Sequence, residues 1–193
     1  MKLSANTNIP NALSISRIAG VPFLFILIYV EPKAWFVGLY VVLALTDWLD
    51  GLLARRWNQT SDFGSMLDTI GDVALYMSTA YFIIVLFPHN LMPNLGYLYV
   101  LLAGFFAVMA VSRVVLGRVL FLHTHISRSA AVILIAAFLL SFYIDTTMLI
   151  RLVMVMYIAA FCEMCVIFMK YGSVDPDTRT ILWLMNERRN PPV

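Results

Sequence analysis

Six long apolar stretches, separated by short polar breaks, cover most of this 193-residue chain. About 20 apolar residues are needed for an α-helix to cross the hydrocarbon core of a membrane. The breaks carry turn-forming and polar residues, as in the segment 31–33 and the segment 145–147. We predict six spanning helices: Asn11–Val30, Trp35–Arg56, Phe63–Phe87, Leu95–Leu122, Ser129–Ile144 and Met148–Lys170.

The composition supports an all-α integral membrane protein. Hydrophobic residues make up 62% of the chain, charged residues 12%, and the mean hydropathy is +0.87. A soluble domain has about 45–50% apolar and about 25% charged residues. The net charge of +2 gives no reason to expect a nucleic-acid partner. Cys162 and Cys165 lie inside the last predicted span, where we interpret them as packing residues.

The cations predict the orientation of the helices. With the N-terminus inside the cell, eleven lysines and arginines fall on the cytoplasmic side, and only Lys33 and Arg151 fall on the other. Positive residues favour the cytoplasmic face, so we expect both termini to be cytoplasmic. We divide the chain into an interfacial segment (1–10), a six-helix domain (11–171) and a cytoplasmic tail (172–193).

Four aspartates interrupt the second and third apolar stretches. The pattern is Asp47-x2-Asp50-Gly51-x2-Ala54-Arg55-x8-Gly64-x3-Asp68-x3-Asp72. Ionised carboxylates inside a membrane are costly, so they are retained only where something compensates their charge. Divalent cations prefer oxygen ligands of this kind, and one or two of them would compensate four carboxylates.

Helical spacing gathers these residues. Positions 47, 50 and 51 share one face of the second helix, and positions 64, 68 and 72 form one stripe on the third. The short connection makes the two helices antiparallel neighbours, so their acidic faces can point at each other near the cytoplasmic surface. Gly51, Ala54 and Gly64 leave space for a ligand or for close helix contact. Arg55 adds a planar cation that suits phosphate oxygens, which makes this a candidate diphosphate site.

The aspartate pattern resembles the signature of the CDP-alcohol phosphatidyltransferase family at every fixed position. The segments Asp47–Gly64 and Asn8–Arg17 are similar to those of bacterial phosphatidylglycerophosphate synthases. The resemblance implies transfer of a phosphatidyl group from CDP-diacylglycerol to the hydroxyl of a small polar alcohol, with release of CMP. It also implies membrane lipids as surroundings and a homodimer.

The resemblance further implies residue roles. Asp47, Asp50, Asp68 and Asp72 would bind a two-metal centre of Mg²⁺ or Mn²⁺, with Asp72 also acting as the general base. The CDP moiety would be held by Gly51, Ala54, Arg55 and Gly64. The active site would face the cytoplasm.

The acceptor is predicted less directly. Arg113, Arg118 and Arg128 either anchor helices at the cytoplasmic face or form a pocket for an acceptor phosphate. We expect Arg113 to lie deepest, two to three turns inside its span. Glycerol 3-phosphate is our first choice of acceptor. Val73, however, follows the fourth aspartate where phosphatidylglycerophosphate synthases usually have lysine, and Ile126-Ser127-Arg128-Ser129 replaces a Lys-Thr segment. Inositol phosphate, inositol and serine are therefore alternative acceptors.

Two other classes of protein share some of these features. Intramembrane acids also mark the pathways of cation transporters. A catalytically silent scaffold would keep the fold without the reaction. Release of CMP from CDP-diacylglycerol in the presence of magnesium or manganese distinguishes the enzyme from a transporter, and loss of that activity in Asp72→Asn distinguishes it from a silent scaffold.

Overall fold

The computed structural model describes residues 9–30, 33–56, 62–118, 120, 122, 124–172 and 180, and every regular element in these ranges is helical. The helices are α1 (Ile9–Leu27), α2 (Ala34–Arg56), α3 (Asp62–Leu86), α4 (Pro88–Leu91), α5 (Leu95–Leu116), α6 (His125–Leu140) and α7 (Thr147–Tyr171). A 3₁₀ turn, Met92–Asn94, joins α4 to α5. The prediction of an all-α protein with six long helices is confirmed for the described residues. The predicted interfacial segment and tail lie mostly outside them.

Three segments of the described chain are long and apolar enough to cross a membrane: Met66–Leu86, Pro88–Leu116 and Thr147–Tyr171. The apolar helices Asn11–Leu27, Ala34–Thr46 and His125–Leu140 are shorter. Helix α6 has 16 residues, and at 1.5 Å per residue it is about 24 Å long, against a hydrocarbon core of about 30 Å.

The connection between α5 and α6 differs from the sequence prediction. Helix α5 ends at Leu116 rather than Leu122, because Gly117 adopts a left-handed conformation with φ of 72°. Helix α6 begins at His125 rather than Ser129, because the Thr124 hydroxyl accepts a hydrogen bond from the backbone N–H of Ser127. It also ends earlier than predicted, at Leu140. The predicted fifth span is therefore displaced by four residues toward the N-terminus.

The chain divides into two compact units, of which the first ends at Val85. In the first unit, α1 packs closely against α2, and a Cβ atom on Gly20 would lie 2.6 Å from Leu43 Cδ2. The rings of Phe25 in α1 and Phe36 in α2 both contact Phe82 in α3, with centroid distances of 4.9 Å and 5.0 Å. One aromatic residue from each helix therefore meets at a single level of the first unit.

The second unit begins at Leu86, and its core lies between α5 and α7. The buried residues of this core are Val108, Leu122, Ala160, Met164, Ile167 and Phe168. Gly104 allows the two helices to approach, since a Cβ atom there would lie 3.2 Å from Phe161 Cδ2. Near the end of the described chain, the Thr180 hydroxyl donates a 2.8 Å hydrogen bond to Glu163 Oε1 on α7.

A buried polar network joins the α4–α5 turn to α7. Asn94 Nδ2 donates to the carbonyl oxygens of Asn90 and Thr147, each at 2.9 Å, and Asn94 Oδ1 accepts from Arg151 Nε at 3.0 Å. Asn90 and Asn94 are fully buried, and Asn90 Nδ2 donates to the Thr146 hydroxyl at 3.0 Å. These bonds tie the chain reversal before α5 to the first turns of α7.

Helix α7 begins beside an exposed carboxylate. The backbone N–H and the hydroxyl of Thr147 donate to Asp145 Oδ1 at 2.8 Å and 2.6 Å. These two hydrogen bonds stabilise the ionised carboxylate and lower the pKa of Asp145 below its usual value.

We expect Asn94→Leu to destabilise the protein by about 2 kcal/mol, because it leaves the Thr147 carbonyl and the Arg151 guanidinium without their buried partner. Thermal unfolding of the detergent-solubilised protein measures the effect. Met92→Leu, a change at an exposed neighbouring side chain, is the matched control and should leave the unfolding temperature nearly unchanged. Equal unfolding temperatures for the two variants would contradict the assignment of a stabilising network.

Candidate active site

Among the described residues of the first unit, Arg17 is a fully buried cation. It lies near the middle of the apolar helix α1, and its side chain is 0% exposed. A guanidinium in such surroundings needs a compensating negative charge. Two carboxylates of α3 supply it: Arg17 Nη1 donates to Asp72 Oδ1, and both Nη1 and Nη2 lie 3.4 Å from Asp68 Oδ1.

Helix geometry explains why one guanidinium reaches both acids. Asp68 and Asp72 are four residues apart, so they lie one turn apart on the same face of α3. Between them, buried Gly71 clears the space that the guanidinium fills. A Cβ atom at this position would lie 3.2 Å from Arg17 Nη1 and 3.3 Å from Arg17 Cδ.

The two carboxylates are not equivalent. The Asp68 side chain is 43% exposed and meets Arg17 only at 3.4 Å, whereas the Asp72 side chain is 26% exposed and makes the closer contact. Each carboxylate retains an accessible side. Both can therefore take a further ligand without leaving α3.

The register between α2 and α3 follows from residues farther along the same helices. The Tyr40 hydroxyl donates to the Thr79 hydroxyl at 2.7 Å, because the Thr79 proton is used on the Leu75 carbonyl. The Phe36–Phe82 contact lies about one turn away. Moving backward along α2 thus corresponds to moving forward along α3, which confirms that the two helices are antiparallel.

When this register is extended along α2 and α3, the four aspartate positions fall at two levels along the helix pair, with one position from each helix at each level. Asp47 lies seven residues after Tyr40 in α2. Asp72 lies seven residues before Thr79 in α3, so the two positions fall at the same level. Both steps correspond to about 10 Å of helix. The same counting places Asp50 near the level of Asp68. The side chains of Asp47 and Asp50 lie outside the described part of the chain.

The small residues of the pattern are level with each other on this register. Ala54 in α2 falls opposite Gly64 in α3, one turn beyond the Asp50–Asp68 level. The helix positions of Gly51 and Arg55 lie in the last turns of α2, and their side chains are outside the described residues. Among the side chains that are described, no group of three or more His, Cys, Asp and Glu residues is placed to hold a metal ion.

The predicted acceptor arginines belong to the second unit. Arg113 lies in the last turn of α5, where its Nη1 donates to the carbonyl oxygen of Gly117. The prediction that it lies two to three turns inside a span is wrong, because Gly117 ends the helix six residues early. Arg118 is in the exposed connection, and Arg128 is exposed in the first turn of α6.

Sequence reasoning missed Arg17 as a partner of the aspartates. The signal was available, since a single arginine inside an apolar helix requires an anionic partner, and the aspartates of α2 and α3 are the nearest intramembrane acids in the sequence.

Comparison with known proteins assigns this arrangement to a family. The sequence profile of the CDP-alcohol phosphatidyltransferase family matches residues 7–172, which include the four aspartates of the pattern. The chain belongs to this family. The matched region runs from just before α1 to the end of α7, so all the described helices fall within the phosphatidyltransferase domain.

Curated relatives in this family include the CDP-diacylglycerol–glycerol-3-phosphate 3-phosphatidyltransferases of Escherichia coli (strain K12) and Shigella flexneri serotype 5b (strain 8401). Each is 44% identical to this chain over 72 residues. The similar segment covers 35% of this chain and 39% of each relative, about two fifths of its length. The name of these relatives states the donor and the acceptor of the reaction assigned to them.

The register can be tested by cross-linking. In a protein with Cys162 and Cys165 replaced by alanine, the pair Asp47→Cys and Asp72→Cys should be joined by a short bis-thiol reagent, because facing positions on packed helices are close. Mass spectrometry of the linked peptides measures the yield. The control pair, Asp47→Cys with Met77→Cys, places the second thiol on an exposed part of α3 more than a turn away. Linkage of the control pair instead would show a different register.

Proposed function

We propose that this chain catalyses metal-dependent transfer of a phosphatidyl group from CDP-diacylglycerol to the hydroxyl of a small polar alcohol, first of all glycerol 3-phosphate, with release of CMP. The proposal is carried by one observation: Asp68 and Asp72 share a partly open face of α3, on a register that brings Asp47 and Asp50 to the same levels. Membership of the family and the names of the curated relatives support the donor and the acceptor.

We place the reaction at the cytoplasmic side of the bacterial inner membrane, with six spanning helices and both termini inside the cell. The excess of cations on one side of the predicted topology supports this orientation. A site near the membrane boundary allows one protein to hold a soluble nucleotide and an acyl chain together. We retain a homodimer as part of the proposal.

The acidic residues fit one or two Mg²⁺ or Mn²⁺ ions. Four ionised aspartates and Arg17 carry a formal charge of −3, which one dication reduces to −1 and two dications change to +1. Carboxylate oxygens are preferred ligands of both metals. When bound, such ions would stabilise negative charge on the diphosphate oxygens and on the departing CMP. Asp47, Asp50, Asp68 and Asp72 would hold them.

The residues of the chain then have separate tasks. The acceptor oxygen attacks the β-phosphorus of the donor, the bond from that phosphorus to the CMP oxygen breaks, and Asp72 takes the hydroxyl proton. Its contact with Arg17 keeps Asp72 oriented along α3. Arg55 would bind phosphate oxygens of the CDP moiety, and Gly51, Ala54 and Gly64 would give the nucleotide access to the helix backbones.

The acceptor phosphate would be bound by arginines around the α5–α6 connection. Arg113, Arg118 and Arg128 are all exposed there, and Arg128 lies in the first turn of α6, where the helix dipole favours anions. Inositol phosphate, inositol and serine remain alternative acceptors, because Val73 stands where phosphatidylglycerophosphate synthases usually have lysine. The Val73 side chain is 54% exposed beside Asp72 and offers no charge to a phosphate.

We expect Asp72→Asn to lower the rate of CMP release by about 10²–10⁴-fold, because the amide cannot accept the hydroxyl proton. Asp68→Ala should abolish turnover and also weaken metal binding. The measurement is CMP release from CDP-diacylglycerol in detergent micelles with Mg²⁺ or Mn²⁺, repeated with excess chelator. Asp145→Asn changes an exposed aspartate outside the pattern and is the control for loss of one carboxylate.

Wild-type protein that releases no CMP with any of glycerol 3-phosphate, inositol phosphate, inositol or serine would contradict the proposed reaction. In that case, metal-ion flux into proteoliposomes tests the transporter alternative. Full activity of Asp72→Asn would contradict its role as the base.

We expect Arg113→Ala to raise the KM for glycerol 3-phosphate by about tenfold with little change in kcat, because it removes one charge-assisted contact to the phosphate. Steady-state kinetics with CDP-diacylglycerol held saturating measures the change. Lys170→Ala removes an exposed cation from the last turn of α7 and serves as the control. If KM is unchanged for every acceptor in the panel, Arg113 is a helix-capping residue only.

A further inference from the structure

We propose that Arg17 is a built-in cation that holds Asp68 and Asp72 in the metal-free protein and competes with the divalent ion for Asp68. The inference rests on the proposed function in one respect, namely that these two aspartates are metal ligands. It adds a positioning residue from α1, which lies outside the aspartate pattern of α2 and α3.

The burial of Arg17 makes it a fixed part of the acidic site. Its side chain is 0% exposed, although surface arginines normally keep the guanidinium in water. Gly71 provides the cradle, since its missing side chain leaves room for Nη1 and Cδ of Arg17 directly between the two acids. Without this cation, two carboxylates one turn apart on an apolar helix would repel each other.

The unequal contacts indicate which carboxylate is transferred to the metal. Asp72 makes the closer contact and is the less exposed, so we infer that it stays with Arg17. Asp68 is 43% exposed and 3.4 Å from both terminal nitrogens, a distance at the long limit for a hydrogen bond. Asp68 therefore meets Arg17 weakly and keeps an exposed side from which an incoming ion can replace the guanidinium.

This arrangement has an electrostatic consequence of definite sign. A guanidinium beside the ligand carboxylates repels a dication, so Arg17 stabilises the empty site and weakens metal binding. A residue that only maintained the fold would do the opposite when removed, because a disordered site binds metal less tightly. The direction of the change in metal affinity thus separates the two roles.

The test is Mn²⁺ binding to the full-length protein in detergent, followed by electron paramagnetic resonance of the free ion. We expect Arg17→Met, which keeps the apolar stem and removes the charge, to lower the Kd for Mn²⁺ by about tenfold or more. It should also unfold at lower temperature than wild type in chelator and gain more than wild type from added Mn²⁺. Arg151→Met, which removes a guanidinium that is hydrogen-bonded in the second unit, should leave the Kd unchanged.

An unchanged or higher Kd in folded Arg17→Met protein would overturn the inference. If that variant does not fold, Arg17→Gln decides, because it removes the charge and keeps a polar head that can donate a hydrogen bond to Asp72. A lower Kd then supports competition, and an unchanged Kd overturns it.

Wild-type CMP release is measured on the same sample. If the wild type releases CMP but the Arg17 variant does not gain affinity for Mn²⁺, only the inference about Arg17 is refuted. If the wild type releases no CMP and binds no Mn²⁺, the proposed function is refuted.

Discussion

Among the described residues of the first unit, helix α1 is tied to α3 by the ion pairs of the Arg17 guanidinium with the Asp68 and Asp72 carboxylates. Helices α1 and α3 are otherwise apolar along most of their length, and apolar surfaces alone do not fix how two helices face each other in a lipid environment. Charges in such helices must be matched, so the rotation and the level of α1 against α3 are set by this contact. Gly71 makes the contact sterically feasible.

A second constraint acts at the other end of the same helices. Phe25, Phe36 and Phe82 meet there, and the Tyr40–Thr79 hydrogen bond fixes α2 against α3. The first unit thus has an aromatic end that sets the register and an acidic end that offers chemistry. The carboxylates remain partly open, and the Tyr40–Thr79 hydrogen bond and the aromatic contacts lie about 10 Å or more away from them.

Much of this could be predicted from the sequence. Hydropathy and turn residues gave six helices, and the spacing of Asp68 and Asp72 gave their shared face, since both depend on local periodicity. The Arg17 contact joins residues more than 50 positions apart, and no local pattern encodes it. The end of α5 was misplaced because an apolar run continues past Gly117, and only the backbone conformation of that glycine ends the helix. The depth assigned to Arg113 failed for the same reason.

The position of Arg17 on the first helix also bears on how the protein is made. Helix α1 is synthesised before α3, so its guanidinium must be accommodated while its partners are still about 50 residues from being translated. An isolated arginine at the centre of a helix costs about 2.5–3.5 kcal/mol on insertion by the translocon. The guanidinium therefore meets its carboxylate partners only after α3 has been synthesised, and this compensation of charge is one of the later events in assembling the first unit.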